Sequence, residues 1–214
     1  MDHAFWHERW ETGRIGFHEA RVNGLLAAHF PAIAPPPGAH IFVPLCGVAH
    51  DMAWLAAQGY RVTGIDLSRT AIDRFLVDHA LTATRSDDGP LHRAETARIT
   101  LYAGDVFALT AAHLAPVDLI YDRAALVALP ADLRPRYATH LMEVTGAAPQ
   151  FLITFDHDGP VSSGPPFSVP EAEVRRLYGE RYGVASLAER PIDGPLAERC
   201  TGVEVAWRLA PDGD

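Results

Sequence analysis

The chain has 214 residues, of which 48% are hydrophobic and 21% are charged, enough for a single domain (residues 1–214) with a substantial core. Its formal net charge of -9 argues against a nucleic-acid partner, because phosphate binding needs clustered basic side chains. No apolar run reaches membrane-spanning length and no signal-peptide pattern is present, so we expect no membrane association. Cys46 and Cys200 show neither metal-binding nor C-x-x-C spacing, which predicts a cytoplasmic protein without a metal site.

The first segment is rich in aromatic residues, with Phe5, Trp6 and Trp10 close together. A terminus of this kind should dock on the domain, and we expect residues 1–38 to lie over a ligand crevice. Its rings could stack on an adenine or attract a sulfonium cation, although a hydrophobic clasp over the sheet explains them equally well. Apolar spacing predicts a helix over Asn23–Phe30, ended by a proline and followed by a stiff proline-rich linker.

The stretch from residue 39 to residue 68 reads as strand, turn, helix and second strand, and the rest of the chain is organised around it. The apolar run Ile41–Leu45 suits a strand buried on both faces, and Gly47 lets the backbone turn close to a ligand. Gly59 is placed to end the helix, and Arg61–Ile65 form the second strand. Such a unit makes its two strands parallel, and parallel sheets bind ligands beyond the carboxyl ends of their strands.

Asp66 stands at the carboxyl end of the second strand, roughly 20 residues after the first turn, where a carboxylate accepts the hydroxyls of a nucleoside ribose. The first turn is P-L-C-G-V-A, which lacks the G-x-G-x-x-G that cradles a pyrophosphate, and no G-x-x-x-x-G-K-[ST] occurs. A ribose acceptor without a phosphate cradle indicates a nucleoside without phosphates, and S-adenosylmethionine fits that description. The alternative is that Asp66 caps a helix beginning near Ser68, and both roles are compatible.

A third strand is predicted at Ile99–Tyr102, after a polar stretch over Thr82–Arg98 in which Ser86–Pro90 reads as a turn or exposed loop. The strand is followed by Asp105 and Val106. In a nucleoside crevice Asp105 could accept a hydrogen bond from the exocyclic amine of adenine, and Val106 could lie on the ring face. A simple turn-forming aspartate explains Asp105 equally well.

Further strands are predicted at Val117–Tyr121, Phe151–Phe155, Val184–Leu187 and Val203–Leu209, and further helices at Ala71–Leu81, Leu133–Val144 and Glu171–Tyr182. The last two strands should form an antiparallel hairpin at the sheet edge. Arg123 follows the fourth strand and so lies over the crevice, where it could pair with Asp122 or with a ligand anion. The Gly-, Pro- and Ser-rich residues 159–169 are a candidate lid.

Five motifs in order resemble a known family over nearly the whole chain. They are W-x-x-x-W-E-T-G-R-I-G-F-H (6–18), V-P-L-C-G (43–47), D-M-x-W-L-A (51–56), D-R-A-A-L-V-A-L-P (122–130) and G-P-P-F-S-V (164–169). The chain resembles the thiopurine S-methyltransferase family. The resemblance implies an α/β, Rossmann-like class I methyltransferase fold with a seven-stranded, mostly parallel sheet, one antiparallel strand and helices on both faces. It implies methyl transfer from S-adenosylmethionine, leaving S-adenosylhomocysteine, to a thiol, selenol or tellurium acceptor such as a thiopurine or aromatic thiol. Nothing in the sequence requires more than a monomer, and we expect one.

The expected cofactor-binding positions are Trp10, Leu45, Gly47, Asp66, Leu67, Asp105, Val106 and Arg123, and the resemblance implies all of them except Gly47 and Leu67. The acceptor-side positions that it implies are Phe17, His18, Pro166 and Phe167. Arg123 could favour the thiolate form of the acceptor or hold the cofactor carboxylate, and we expect the latter. No catalytic base is assigned, although His18 could accept a proton. The chain departs from the family in having Val48-Ala49 where Lys-Ser is usual, and Asp66 where Glu is common.

Two other functions are compatible with parts of the sequence. Cys46 at a strand-to-helix turn, with His50 nearby, imitates the nucleophile of an α/β-hydrolase, although Pro44 and Leu45 stand where that motif needs small residues. A non-catalytic nucleoside-binding protein on the same fold is the second, and the Val48-Ala49 departure is its support.

Overall fold

A computed structural model describes residues 3–13, 19, 21–160 and 164–211. Its helices are α1 (His3–Glu11), α2 (Gly24–His29), α3 (His50–Ala57), α4 (Arg69–Asp78), α5 (Arg134–Thr145), α6 (Glu171–Tyr178) and α7 (Gly194–Ala197). Its strands are β1 (His40–Pro44), β2 (Arg61–Asp66), β3 (Thr84–Asp88), β4 (Leu91–Glu95), β5 (Ile99–Ala103), β6 (Leu119–Arg123), β7 (Gln150–His157), β8 (Tyr182–Pro191) and β9 (Gly202–Pro211). Short 3-10 turns cover Phe30–Ala32, Val106–Ala108, Ala111–His113 and Leu126–Ala128.

Within the described residues, all nine strands form one sheet in the order β3-β4-β5-β2-β1-β6-β7-β9-β8. The central strands β5, β2, β1, β6 and β7 are parallel, while β9 runs antiparallel to β7 and to β8. This confirms the α/β class, and it confirms the antiparallel hairpin at the sheet edge. The predicted count of seven strands is wrong, because the hairpin β3–β4 extends the other edge.

That extra hairpin corrects the interpretation of Ser86–Pro90 as a loop. Residues 84–88 pair with 91–95 from Thr84↔Glu95 to Asp88↔Leu91, so only Gly89 and Pro90 remain as the turn. Every residue of β3 is exposed, so the strand carries none of the apolar alternation by which strands are recognised in a sequence. Backbone pairing to β4 holds it in place.

Helices cover both faces of the sheet, as expected, and each face has its own hydrophobic core. Alternate residues of β1 divide between the two: Ile41 and Val43 face one core, and Phe42 faces the other. The apolar faces of α2, α3 and α4 pack on the first face, and those of α5 and α6 pack on the second. All five residues of β1 are buried, which is why this strand reads as an uninterrupted apolar run.

The helix boundaries differ from the predicted ones mainly at α6. The helix ends at Tyr178 with Gly179 as its cap, and the chain enters β8 at Tyr182, which the prediction had kept in the helix. Gly59 follows α3 with φ +96, in the predicted place. No helix in the described part of the chain combines the length and the apolar character needed to cross a bilayer.

Candidate active site

A cavity lies at the carboxyl ends of β1, β2 and β6. It holds about 630 Å³ of space between protein atoms, including its open mouth. Its lining residues are Trp6, Trp10, Leu45, Cys46, Gly47, Val48, Ala49, Asp66, Leu67, Arg123, Ala124 and Ala128. The cavity therefore brings together six of the eight expected cofactor positions, and α1 supplies its aromatic wall.

The Asp66 carboxylate is held in place by two backbone donors. Its Oδ2 accepts the N–H of Gly47 at 2.9 Å and its Oδ1 accepts the N–H of Ser68 at 2.8 Å, and the residue is 8% exposed. Ser68 itself caps α4, because its hydroxyl accepts the N–H of Ala71. Asp66 is thus not the cap of that helix, and its carboxylate, an acceptor-only group, is oriented by two backbone donors at the cavity that it lines.

Gly47 is where the backbone comes closest to the aromatic wall. Its φ is +51, and a Cβ built there would lie 3.2 Å from Cζ2 of Trp10 and 4.0 Å from Oδ2 of Asp66. A side chain at this position would therefore push against the indole ring and strain the backbone. Glycine is needed here for both reasons.

Two other residues of the cavity adopt the left-handed conformation without being glycines. Leu45 has φ 46 and Ala124 has φ 62, and they follow the neighbouring strands β1 and β6. Such a conformation costs about 1–2 kcal/mol for a residue with a Cβ. Backbone strain of this kind concentrates where function demands a particular backbone direction, and here both strained residues line the same cavity.

Arg123 brings a nearly buried positive charge to the cavity wall. Its side chain is 12% exposed, and its Nη2 lies 2.5 Å from Oε1 of Glu19. Burial alone would lower the pKa of Arg123, but the negative charges of Glu19, Asp51 and Glu204 raise it above its ordinary value. The guanidinium is therefore permanently charged and has only donors to offer.

Asp122 lies on the opposite side of the sheet and does not pair with Arg123. Its Oδ2 accepts the hydroxyl of Tyr137 at 2.8 Å, and its Oδ1 accepts the N–H of Leu126 at 3.1 Å. Complete burial raises the pKa of Asp122 to about 6, which these hydrogen bonds only partly offset. The predicted Asp122–Arg123 pair is wrong, because successive residues of a strand point to opposite faces.

Asp105 and Val106 do not line the cavity. Asp105 caps a 3-10 turn by accepting the N–H of Phe107 at 3.0 Å, and Val106 is 2% exposed and lies in the core. The carbonyl of Val106 lies 2.8 Å from Nε2 of His140. Asp105 nevertheless follows a residue that lies next to the cavity wall, because the N–H of Gly104 donates to the carbonyl of Asp66. Contact of this pair with an adenine stays a prediction.

The described part of the candidate lid is fastened to the body of the protein. The N–H of Phe167 donates to the carbonyl of Val127 at 2.7 Å, and that of Val169 donates to the carbonyl of Phe155 at 2.7 Å. Arg134 donates to the carbonyl of Ser168 at 3.2 Å. Residues 164–169 are therefore held beside the 3-10 turn that contributes Ala128 to the cavity, although neither Pro166 nor Phe167 lines it. Phe17 and His18 lie outside the described residues.

Cys46 is buried and cannot serve as a nucleophile in this arrangement. Its Sγ points into the core, where a Cβ on Gly64 would lie 2.8 Å from it and 2.8 Å from Sδ of Met52. Burial first, and the charge of Asp66 second, raise the pKa of the thiol well above its ordinary value. Nδ1 of His50 lies 3.1 Å from Nε2 of His79. The hydrolase interpretation is therefore wrong.

Several residues of the site were not found by sequence reasoning. Glu19 is the most important, because it pairs with Arg123 across nearly half of the chain, and nothing in the sequence marks such a pair. Trp6 carried a signal, the aromatic density of the first segment. Ala124 and Ala128 carried none, since they contribute backbone shape and small size instead of chemistry.

The comparisons with known proteins agree with this geometry. The family model for thiopurine S-methyltransferase matches residues 1–207. The chain is 46% identical to a thiopurine S-methyltransferase of Xanthobacter autotrophicus over 98% of this chain and 99% of that protein, and 49% identical to one of Gluconobacter oxydans over 97% and 94%. Among solved structures, the fold is similar to that of Burkholderia thailandensis 1,6-didemethyltoxoflavin-N1-methyltransferase with bound S-adenosylhomocysteine, with a TM-score of 0.68 at 17% identity over 97% of this chain and 87% of that one.

These relatives decide between the remaining alternatives. A family match over nearly the whole chain, with relatives of this identity named as enzymes, disfavours a non-catalytic nucleoside-binding protein. The chain belongs to the thiopurine S-methyltransferase family, and its activity is methyl transfer from S-adenosylmethionine.

Proposed function

We propose that the methyl acceptor is a sulfur nucleophile, a thiopurine or an aromatic thiol, or a selenium or tellurium analogue of one. We propose further that Asp66 binds the ribose of the cofactor and Arg123 its carboxylate. The observation that carries this is the cavity itself, where an acceptor-only carboxylate and a buried guanidinium stand on either side of the Gly47 turn. S-adenosylmethionine carries matching groups, ribose hydroxyls and an amino-acid carboxylate.

The residues present fit such a cofactor. The two oxygens of Asp66 are held by backbone N–H groups, which fixes the direction of the carboxylate in the cavity wall. Gly47 leaves the turn free of a side chain, and Leu45 and Leu67 line the cavity beside it. Trp6 and Trp10 offer aromatic faces to a cationic sulfur or a heteroaromatic ring. In the family pattern Asp105 and Val106 complete the adenine end.

S-adenosylmethionine supplies a methyl group already activated by its sulfonium leaving group. The protein therefore has mainly to bind, orient and exclude water. Among the described residues of the cavity wall, none is suited to take a proton: Asp66 accepts two N–H groups, Arg123 is a permanent donor, and the Cys46 thiol is buried. Aromatic thiols and thiopurines ionise near neutral pH and need no strong base, which favours sulfur over hydroxyl acceptors.

The acceptor side of the site is proposed from the family pattern and from the position of residues 164–169 beside the cavity. Phe17, His18, Pro166 and Phe167 are the positions concerned, and the last two sit next to the turn containing Ala128. That Trp6 and Trp10 of α1 line the cavity supports docking of residues 1–38 over it, within one domain spanning the chain. A monomeric state and a cytoplasmic location stay predictions.

The test begins with a calorimetric titration of S-adenosylhomocysteine, which should bind with one site per chain. Transfer is then measured on a thiopurine and on the purine that carries oxygen in place of that sulfur, with thiophenol, a selenol and tellurite as further acceptors. We expect methylation of the sulfur compounds and none of the oxygen analogue. Transfer to oxygen or nitrogen acceptors with none to sulfur would overturn the proposal. Asp66→Ala is the inactive control, and Glu171→Gln, on the exposed face of α6, is the matched active control.

A further inference from the structure

A cluster of charged side chains lies behind the cavity wall that Arg123 forms. Arg123 pairs with Glu19, and Nδ2 of Asn23 donates to Oε1 of Glu19 at 3.3 Å. The same Nδ2 lies 3.5 Å from Oε1 of Glu204, whose Oε2 accepts Nε of Arg190 at 2.6 Å. The cluster thus joins the first segment of the chain to β6 and to the hairpin β8–β9.

Asp51 adds a third carboxylate to this cluster. Its Oδ1 accepts the backbone N–H of Asn23 at 2.8 Å, and its Oδ2 accepts the hydroxyl of Tyr121 at 3.0 Å. Since both oxygens accept hydrogen bonds, the arrangement suits the ionised carboxylate. Arg123 interacts with this charge as well as with that of Glu204.

The charges of the cluster do not cancel. Burial raises the pKa of Asp51 and of Glu204, while Arg123 and Arg190 favour their ionised forms. With all three carboxylates ionised, Glu19, Asp51 and Glu204 carry three negative charges against the two positive charges of Arg123 and Arg190, which leaves a surplus of one negative charge. Arg190 is bonded to Glu204, and Arg123 is bonded to Glu19. The field of such a group reaches several ångströms into the cavity, where the low-dielectric protein wall screens it less than bulk water would.

The cofactor and its product differ by one charge at the sulfur. S-adenosylmethionine has a sulfonium, S-adenosylhomocysteine has a neutral thioether, and both have the same ribose, ammonium and carboxylate. In both, the sulfur is joined to the carboxylate by a short aliphatic chain. If the carboxylate lies at Arg123, the sulfur is close enough to feel the surplus negative charge beyond it.

Resting on the proposed contact between Arg123 and the cofactor carboxylate, we propose that Glu19 is a specificity-determining residue that makes the site prefer S-adenosylmethionine over S-adenosylhomocysteine. Glu19 is the carboxylate that touches Arg123 directly, and at 38% exposure it avoids the full desolvation that Asp51 and Glu204 experience. Its negative charge stabilises the sulfonium more than the thioether. After transfer the product loses that stabilisation, which favours its release.

The ratio of the two dissociation constants isolates this effect. Any competition between Glu19 and the ligand carboxylate for Arg123 is the same for both ligands, so it cancels in the ratio. We therefore measure both ligands by calorimetry on the wild type, Glu19→Gln, Glu19→Asp and Glu171→Gln. The last variant removes the same charge from another Arg–Glu pair, that with Arg175 on the exposed face of α6.

In the wild type, S-adenosylmethionine should bind more tightly than S-adenosylhomocysteine. In Glu19→Gln the preference should shrink by about threefold to tenfold, the size of a single charge acting through a partly hydrated path. Glu19→Asp, which keeps the charge, and Glu171→Gln should retain the wild-type ratio. Thermal unfolding of each variant establishes that the fold is intact before the ratios are compared.

Each other outcome counts against the inference. An unchanged ratio in Glu19→Gln, or a ratio that moves toward S-adenosylmethionine, overturns it while leaving the proposed function intact. An equal shift in Glu171→Gln overturns it too, because the effect would then belong to the net charge of the molecule. A wild type that binds neither ligand overturns the proposed function and this inference together. Should Glu19→Gln unfold, Glu19→Asp decides the question. That variant keeps the negative charge, so if it loses the preference for S-adenosylmethionine, the charge is not the cause.

Discussion

Replacing Asp66 by asparagine changes the site at one atom and should weaken cofactor binding strongly. One carboxylate oxygen becomes an NH2 group, so either the N–H of Gly47 or that of Ser68 then faces a donor instead of an acceptor. A buried donor left without a partner costs about 1–3 kcal/mol. Loss of a charged acceptor for a ribose hydroxyl costs about another 1.5–3 kcal/mol on binding. The binding loss alone corresponds to roughly a tenfold to hundredfold weaker affinity for S-adenosylhomocysteine.

Two ligands separate the ribose end of the site from the carboxylate end. S-adenosylhomocysteine has both groups, whereas 5′-methylthioadenosine keeps the nucleoside and lacks the amino acid. Calorimetry should show that Asp66→Asn lowers the affinity for both ligands by a similar factor. Arg123→Ala should weaken S-adenosylhomocysteine and leave methylthioadenosine nearly unchanged. Thermal unfolding of both variants measures the structural part of the change separately.

Two results of these titrations would refute the assignment of the two residues. If Asp66→Asn binds methylthioadenosine as tightly as the wild type does, the carboxylate does not hold the ribose. If Arg123→Ala weakens both ligands equally, its guanidinium acts on the shape of the pocket and not on the carboxylate. Either result would remove the named residue from the cofactor site, whatever happens to the transfer rate.

Other predictions concern the structure around the site. The pKa of Asp122 is about 6 in the folded protein and 3.8 in the unfolded chain. The free energy of unfolding therefore has its full contribution from Asp122 below pH 3.8 and loses about 3 kcal/mol of it as the pH rises through 6. Denaturant titrations from pH 4 to 7 should show this decline in the wild type and not in Asp122→Asn. Cys46→Ala should cost about 1–3 kcal/mol of stability and keep methyl transfer, and iodoacetamide should reach Cys46 only after unfolding, whereas loss of transfer would reinstate a chemical role. Gly64→Ala should cost about 1–3 kcal/mol, and less in the Cys46→Ala background, where one of the two clashing sulfurs is gone and that of Met52 remains. Arg134→Ala removes the buried partner of Glu173 at 2.6 Å and leaves it only the exposed Arg176 at 3.2 Å, which should cost about 1.5–3 kcal/mol. At a temperature where the variant is folded, it should raise KM for the acceptor more than KM for the cofactor, and equal effects would deny residues 164–169 an acceptor role.

The unit from β1 to β2 could be predicted because each of its residue types is set by a single local requirement, either burial or backbone conformation. Strands buried on both faces must be apolar throughout, and the turn between them must accommodate a positive φ, which Gly47 does. The hairpin β3–β4 could not be predicted, because its strands are held by backbone pairing and bury only Leu91 and Ala94. A polar strand and a polar loop look the same in sequence.

The site divides along the same line. Asp66 was predictable because it is fixed by its position at the end of a strand and by the backbone that follows it. The partner of Arg123 was not, because ion pairing depends on where distant segments meet, and the neighbouring Asp122 is a plausible but wrong choice. Val106 shows a third case: the residue is in the predicted turn, but its side chain belongs to the core.

Strand order explains why Asp66 and Arg123 share a cavity although they are far apart in the chain. From β1 the chain moves to β2 and β5 on one side of the sheet and returns to β6 and β7 on the other side. The connections therefore leave β1 in opposite directions, and a crevice opens above its carboxyl end, where the Gly47 turn lies. The side chains that end β2 and β6 necessarily flank that turn, one as Asp66 and the other as Arg123. A shift of either strand by one residue would turn Asp66 or Arg123 to the opposite face, so the register that buries the core also fixes both charged side chains in the cavity wall.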